Sequence, residues 1–206
     1  MREKSNRGLV LGVTGGIACG KSEVGYLLAH AGFEVLDADD VAHRLMAPEG
    51  GAYRAVIEHF GVGICGDDGK INRRKLAETV FDNDAELKTL NRIVHPLVCE
   101  EWRGWIRERC GAGKNIAVII PLLFEIEENA GWDAVICVAA NEEIVIERLK
   151  SRGLTEIKAQ ARIAAQLPLK DKIKRSDYVI RNNGSLEDLY KTTHEQLDKL
   201  LSERKG

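Results

Sequence analysis

Leu9–Ala31, LVLGVTGGIACGKSEVGYLLAHA, is the stretch whose reading decides the fold. Leu9 to Val13 is a continuous apolar run of the length of a short buried strand. Gly15, then Gly16-Ile17-Ala18-Cys19, then Gly20-Lys21-Ser22 match the pattern G-x-x-x-x-G-K-[ST]. Val24, Leu27, Leu28 and Ala31 follow at i, i+3, i+4 and i+7, the apolar stripe of an amphipathic helix. The pattern has its mechanism only between a strand and a helix, and both are present. Glycines let backbone N–H groups turn inward around an anion, and the helix N-terminus adds the positive end of its dipole. Lys21 is expected to reach the β- and γ-phosphates and the Ser22 hydroxyl to ligate Mg²⁺. The competing reading is a glycine-rich turn that fits by chance, and it must explain strand, pattern and helix at once. The chain is expected to bind a nucleoside triphosphate through residues 15–23, from Gly15 to Glu23.

The remaining composition excludes several classes. A chain of 206 residues suits one domain or a core with insertions. A formal net charge of −2 gives no global pull toward nucleic acid or anionic membrane. Cys19, Cys65, Cys99, Cys110 and Cys137 are odd in number and form no C-x-x-C pair, so free thiols in a reducing compartment are expected. The start, MREKSNRG, is charged and reads as no signal peptide. No apolar run approaches the roughly 18 residues of a membrane span. The expected address is the cytoplasm, with small-molecule partners, no nucleic acid and no membrane; the sequence leaves the oligomeric state open, with a monomer favoured.

Taken in order, Phe33–Leu36 reads as a second strand, running into Asp37-Ala38-Asp39-Asp40 and a short helix through Val41, Leu45 and Met46. From there to about residue 112 the pattern is helical. Tyr53, Val56, Ile57 and Phe60 make one stripe; Leu76 and Val80 mark another helix. Asn83 with Glu86 resembles a capping box opening a third, with Leu87, Leu90 and Val94, and Pro96 suits the first position of a fourth. On that fourth helix Trp102 and Trp105 continue an apolar face and are placed in the core. Ile116–Ile120 and Ala134–Ala139 are apolar runs of the kind found in parallel strands buried on both faces. Helices over Glu142–Arg152 and Thr155–Leu167 follow, then a strand at Asp177–Ile180. Ser185 with Asp188 caps a last helix whose stripe is Leu186, Leu189, Tyr190, Leu197, Leu200 and Leu201. The fold class is α/β: a five-stranded, doubly wound parallel sheet with a helical insertion and a short helical lid. Residues 8–38, 113–150 and 170–206 form the core, 39–112 the insertion and 151–169 the lid.

Triphosphate binding leaves kinases, GTPases and motor ATPases open. A GTPase should show D-x-x-G after the third strand and N-K-x-D for guanine; here Ile116–Ile120 ends in Pro121-Leu122-Leu123. A motor usually carries an acidic residue at that strand end, and none is there. Two insertions, one after the second strand and one after the fourth, point to a small-molecule kinase with an acceptor site and a lid. Arg148–Arg175 holds nine Lys/Arg against two Asp/Glu, and Arg148, Arg152 and Arg162 are expected on helices that close over a triphosphate. A solvated helical face explains the same charges without function. Asp39, just past the second strand, is a candidate to take the proton of an acceptor hydroxyl. Asp37 or Asp39 is also placed to hold Mg²⁺ waters, and Asp37 and Asp40 have an alternative as helix caps.

The residues resemble the dephospho-coenzyme A kinase family from about Gly8 to Leu201. The resemblance rests on Thr14–Ser22, Asp37-Ala38-Asp39 with Val41-Ala42, and Asp68-Gly69-Lys70-Ile71 with Arg73 and Leu76. It continues through Ile93–Val98 with its His95-Pro96, then Pro121-Leu122-Leu123-Phe124-Glu125, Gln166, Asp177–Ile180 and Asn182. It implies phosphorylation of the ribose 3′-hydroxyl of dephospho-CoA by ATP, with Mg²⁺, giving CoA and ADP. It implies Asp39 as base, Lys21 and Ser22 as ATP and Mg²⁺ contacts, and Arg148 as lid arginine. It also implies Arg73 and His95 as acceptor contacts, and Tyr178–Gly184, with Asn182, near adenine. A histidine before proline also has an ordinary structural use at a helix start. A kinase for another nucleoside or nucleotide, and a non-catalytic nucleotide-binding module, remain as rival functions. The chain departs from the family pattern at Ala18-Cys19, where Gly-Ser is common, at Glu23, where Thr is common, and at His43, where Arg is common. Arg44 is a candidate stand-in for the last. Cys19, near a helix N-terminus where thiol pKa tends to fall, is expected to be sensitive to oxidation.

Overall fold

A computed structural model describes residues 7–81, 83–126 and 131–205; residues 1–6, on which the signal-peptide reading partly rests, lie outside them. The chain runs β1 (Val10–Gly15), α1 (Lys21–His30), β2 (Glu34–Asp37), α2 (Ala38–Leu45), α3 (Tyr53–Phe60) and a 3-10 turn at Val62–Ile64. It continues with α4 (Arg73–Phe81), α5 (Asp84–Gly111), β3 (Ile116–Ile119), β4 (Ala134–Ala139), α6 (Glu142–Ser151), α7 (Glu156–Ala164), α8 (Leu169–Lys174), β5 (Tyr178–Arg181) and α9 (Leu186–Lys205). It divides into two units, Met1–Asp37 with Glu108–Gly206, and Ala38–Arg107. Among the described residues, no helix is long and apolar enough to cross a membrane.

The first unit holds one five-stranded sheet in the order β2-β3-β1-β4-β5, with every neighbouring pair parallel. Every residue of β1, β3 and β4 is buried, which is why these three strands read as unbroken apolar runs. Edge strands β2 and β5 are half-exposed and carry Glu34, Asp37 and Arg181 among their apolar residues. The connection from β1 leaves toward β2 and that from β3 leaves toward β4, so the order reverses between β1 and β3. A crevice at the carboxyl ends of such strands is where ligands of open parallel sheets bind. Both loops that open there, Gly15–Gly20 and Pro121–Ile126, recur in the site.

Local signals mostly survive, with instructive exceptions. On α1, Val24 and Leu28 are buried as expected, but Ala31 lies past the helix and is exposed; Gly25 takes the buried position beside Val24. The Ser185–Asp188 box closes: the Ser185 N–H donates to Asp188 Oδ2 at 2.9 Å and the Asp188 N–H to Ser185 Oγ at 3.2 Å. Leu189, Leu197 and Leu200 are buried, whereas Leu186 and Tyr190 are exposed despite sharing the predicted stripe. The segment after Pro168, given no element from sequence, is the short helix α8.

In the helical unit the two helices expected on either side of Pro96 are one, α5, with the proline inside it. Proline inside a helix gives up a hydrogen bond and crowds the preceding turn, at about 3 kcal/mol. Here Val94, Val98, Trp102 and Ile106 bury one face continuously through that point, and tertiary packing of such a face is what holds most protein helices. Asn83 caps the start, with its Oδ1 accepting from Ala85 N–H (3.1 Å) and Glu86 N–H (3.3 Å). The expected reciprocal bond from Glu86 is replaced by a 2.7 Å ion pair with His59 of α3. Trp102 is fully buried and Trp105 only half so. Trp102→Ala is expected to destabilise the helical unit by about 3–5 kcal/mol, read as a lower urea midpoint for that unit.

Candidate active site

The phosphate loop takes its shape from backbone needs. Gly15 has φ 146°, and a Cβ there would sit 2.1 Å from the Val138 carbonyl oxygen of β4. Gly20 has φ 97°, and its Cβ would meet Asn182 Nδ2 at 2.2 Å. Neither position admits a side chain. Between them Ala18 adopts φ 54°. That left-handed backbone costs alanine about 1–2 kcal/mol, partly offset by burial of its methyl group, so the departure from glycine is tolerable. The Lys21 ammonium lies back along the loop, donating to the carbonyl oxygens of Gly16 (2.9 Å) and Gly15 (3.3 Å). Ser22 is exposed in the first turn of α1, beside Glu23, which suits the helix dipole.

Two residues brace the loop from behind. Arg148 is on α6, and its guanidinium donates to the Ala18 carbonyl (3.3 Å) and to the carbonyl and side-chain oxygens of Asn182 (both 3.1 Å). Asn182 is buried and donates through Nδ2 to the Cys19 carbonyl at 3.0 Å. Beside them a cavity of about 260 Å³ is lined by Gly20, Glu23, Arg148, Arg152, Asn182 and Leu186, among others. The expected low-pKa thiol at Cys19 is overturned: the side chain is buried, and burial pushes the thiol up rather than down. The same holds for Cys137 on β4, pushed up to about 11 chiefly by burial.

Asp37 ends β2 and Asp39 is the second residue of α2, exposed. Among the described residues no group of three His, Cys, Asp or Glu side chains forms a metal cage.

In the helical unit a cavity of about 550 Å³ has an apolar wall of Met46, Leu76, Val80 and Leu90 and a cationic side of Lys70 and Arg73. His43 lines it too. Arg44, the expected stand-in, is instead ion-paired with Glu101. His95 lies within α5, partly buried, and is not part of this cavity's wall. Burial pushes its imidazole below the usual 6.5, so the folded state resists protonation. The stability this confers is present above pH 6.5 and is lost as pH falls from 6.5 through the folded value. The urea midpoint of the wild type is expected to drop across that window, and His95→Gln is expected to flatten the drop.

Three residues received no role from sequence. Lys172, counted among the lid cations, is fully buried on α8, with Nζ 2.7 Å from Glu125 Oε1. Glu125 Oε1 also accepts the Leu167 N–H at 3.0 Å, and Gln166 Oε1 accepts the Ile17 N–H of the phosphate loop at 3.1 Å. The signal was available only as the recurring segments around Glu125 and Gln166; nothing in the charge pattern marks Lys172 as buried.

Comparison with known proteins places these features. The sequence profile described as dephospho-CoA kinase matches residues 9–188. A dephospho-CoA kinase of Geobacillus kaustophilus is 43% identical over 182 residues, 87% of this chain and 90% of the relative. A solved structure from Thermus thermophilus superposes with a TM-score of 0.77 at 35% identity, covering 96% of this chain and 98% of that one. The dephospho-CoA kinase structure from Campylobacter jejuni gives a TM-score of 0.64 at 26% identity over 93% and 96%. The matches run through the phosphate loop, the helical unit and the sheet alike, and the chain belongs to the dephospho-CoA kinase family.

Proposed function

We infer that the chain performs its family's reaction, transfer of the γ-phosphoryl group of ATP to the ribose 3′-hydroxyl of dephospho-CoA, giving CoA and ADP. The match across residues 9–188 carries this reading. Ser22 would supply the protein's oxygen to a Mg²⁺ bound with the phosphates, an ion that would spread charge on the transferring group. Lys21 leaves the Gly15 and Gly16 carbonyls to contact the β- and γ-phosphates. Asp39 orients the acceptor hydroxyl and takes its proton. Arg148 and Asn182 hold the loop from behind, and the neighbouring small cavity with Arg152 and Leu186 suits a nucleobase. The helical insertion, 39–112, takes the acceptor. The cavity of Lys70 and Arg73 supports that reading, because dephospho-CoA joins a pyrophosphate to a long neutral arm. Residues 151–169 act as the lid.

ADP release with Mg·ATP is the decisive assay, run with dephospho-CoA, AMP, uridine, shikimate and no acceptor. Release that depends on dephospho-CoA alone, with CoA as product, is the expected result. Transfer to another acceptor would keep the roles of Lys21, Ser22 and Asp39 and move the specificity. ATP binding with no transfer to any acceptor would refute the enzyme reading.

A further inference from the structure

We propose that Lys172, Glu125 and Gln166 are positioning residues for phosphoryl transfer: a buried ion pair fixes the segment Gln166–Leu167, and Gln166 holds the Ile17 amide of the phosphate loop. The kinetic half of this rests on the function inferred above; the structural half does not.

The pair is unusual for where it sits. Lys172 has no exposed side-chain surface, and a buried ammonium is costly unless its partners satisfy it. Besides Glu125, its Nζ donates to the Pro121 carbonyl at 2.7 Å. That carbonyl directly follows β3 and also accepts the hydroxyl of Thr14 at 3.3 Å; Thr14 is buried at the end of β1, just before the loop. One ammonium and two acceptors thus join the ends of β1 and β3, on either side of the crevice, to α8. Arg175, just past α8, adds a bond to the Phe124 carbonyl at 3.3 Å and lies over the Phe124 ring at 4.5 Å.

The arrangement acts on the loop through one further step. Glu125 Oε1, already on Lys172, receives the Leu167 N–H, which fixes the backbone just beyond α7. The adjacent Gln166 then presents its carbonyl oxygen to Ile17. The loop is in this way held at Ile17 on one side and at the Ala18 and Cys19 carbonyls, by Arg148 and Asn182, on the other. Loop donors fixed in advance need no reorganisation when charge builds on the phosphoryl group.

Amide exchange at Ile17, followed by NMR on the nucleotide-free protein, is measured beside steady-state kinetics. Gln166→Ala is expected to speed Ile17 exchange about tenfold. It is expected to lower kcat about tenfold while KM for the acceptor stays unchanged. Gln166→Glu keeps an acceptor oxygen, so it restores slow exchange and most of kcat, while its charge raises KM for ATP. The double variant Lys172→Met/Glu125→Leu, which removes the acceptor of the Leu167 N–H together with the ion pair, reproduces Gln166→Ala, and adding Gln166→Ala to it costs nothing more, because the three act as one unit. Unchanged Ile17 exchange in Gln166→Ala, or kcat losses that multiply in the triple variant, would overturn the proposal. Should the double variant fail to fold, the two Gln166 variants decide alone, since Gln166 is only half-buried. A wild type that leaves dephospho-CoA unphosphorylated refutes the functional reading, whereas exchange at Ile17 still judges the tether.

Discussion

Asp39→Asn is expected to lower turnover by roughly 10²–10⁴ while ATP binds with near-normal strength. Asparagine keeps the size of the side chain and an oxygen that can receive a hydrogen bond, but it cannot take a proton. The loss therefore isolates proton transfer from orientation. Asp39 is exposed at the start of α2, so the substitution removes no core packing. The competing role for the acidic run is helix capping, which belongs to Asp37 and Asp40. A capping role predicts little change in either stability or rate, because asparagine caps a helix about as well as aspartate. Turnover within a few-fold of wild type, with normal ATP affinity, would remove Asp39 from the chemistry.

Lys21→Ala is the second large effect, with kcat/KM expected to fall by roughly 10²–10³. In the structure Lys21 donates to two carbonyls of its own loop, and the loop shape is set elsewhere, by Gly15 against Val138 and Gly20 against Asn182. The alanine variant therefore keeps its fold and its loop, and the loss belongs to charge on the transferring phosphoryl group. Lys21→Arg is not expected to rescue it, because a planar fork does not replace a compact ammonium on a flexible stem. A melting temperature equal to wild type with a rate loss below tenfold would argue that the lysine is dispensable.

Why sequence succeeded in some places and failed in others is a matter of range. The strand–loop–helix at Leu9–Ala31 was readable because its signals are local: an apolar run, fixed glycine spacing and a helical stripe. The parallel sheet followed, because strands buried on both faces leave unbroken apolar runs. Pro96 misled because its cost is local whereas the packing of Val94, Val98, Trp102 and Ile106 that overrides it is not. Leu186 and Tyr190 misled because periodicity finds the stripe and not where its packing partner ends. Cys19 misled because helix-end electrostatics is a sequence-level argument and burial of the thiol is not. In the site, the glycine positions of the loop were legible from spacing alone, while the hydrogen bonds of Arg148 and Asn182 to the loop's carbonyls join segments too far apart in sequence to be read. Lys172 was invisible, since a buried lysine and a solvated one are the same letter among nine cations.

The order β2-β3-β1-β4-β5 also dictates a sequence of events during synthesis. β1 and β2 leave the ribosome first, yet they are not neighbours; β3 must come between them, and it is made only after Ala38–Arg107. The first two strands therefore wait without their hydrogen-bonding partner while the helical unit, Ala38–Arg107, is translated. Helices rely on contacts near in sequence and form early, whereas parallel pairing must first close the long chain between strands. The helical unit is thus made before the sheet that gives the enzyme its phosphate loop. Until Ile116–Ile119 emerges, the apolar edges of β1 and β2 are the part of the nascent chain most in need of a chaperone.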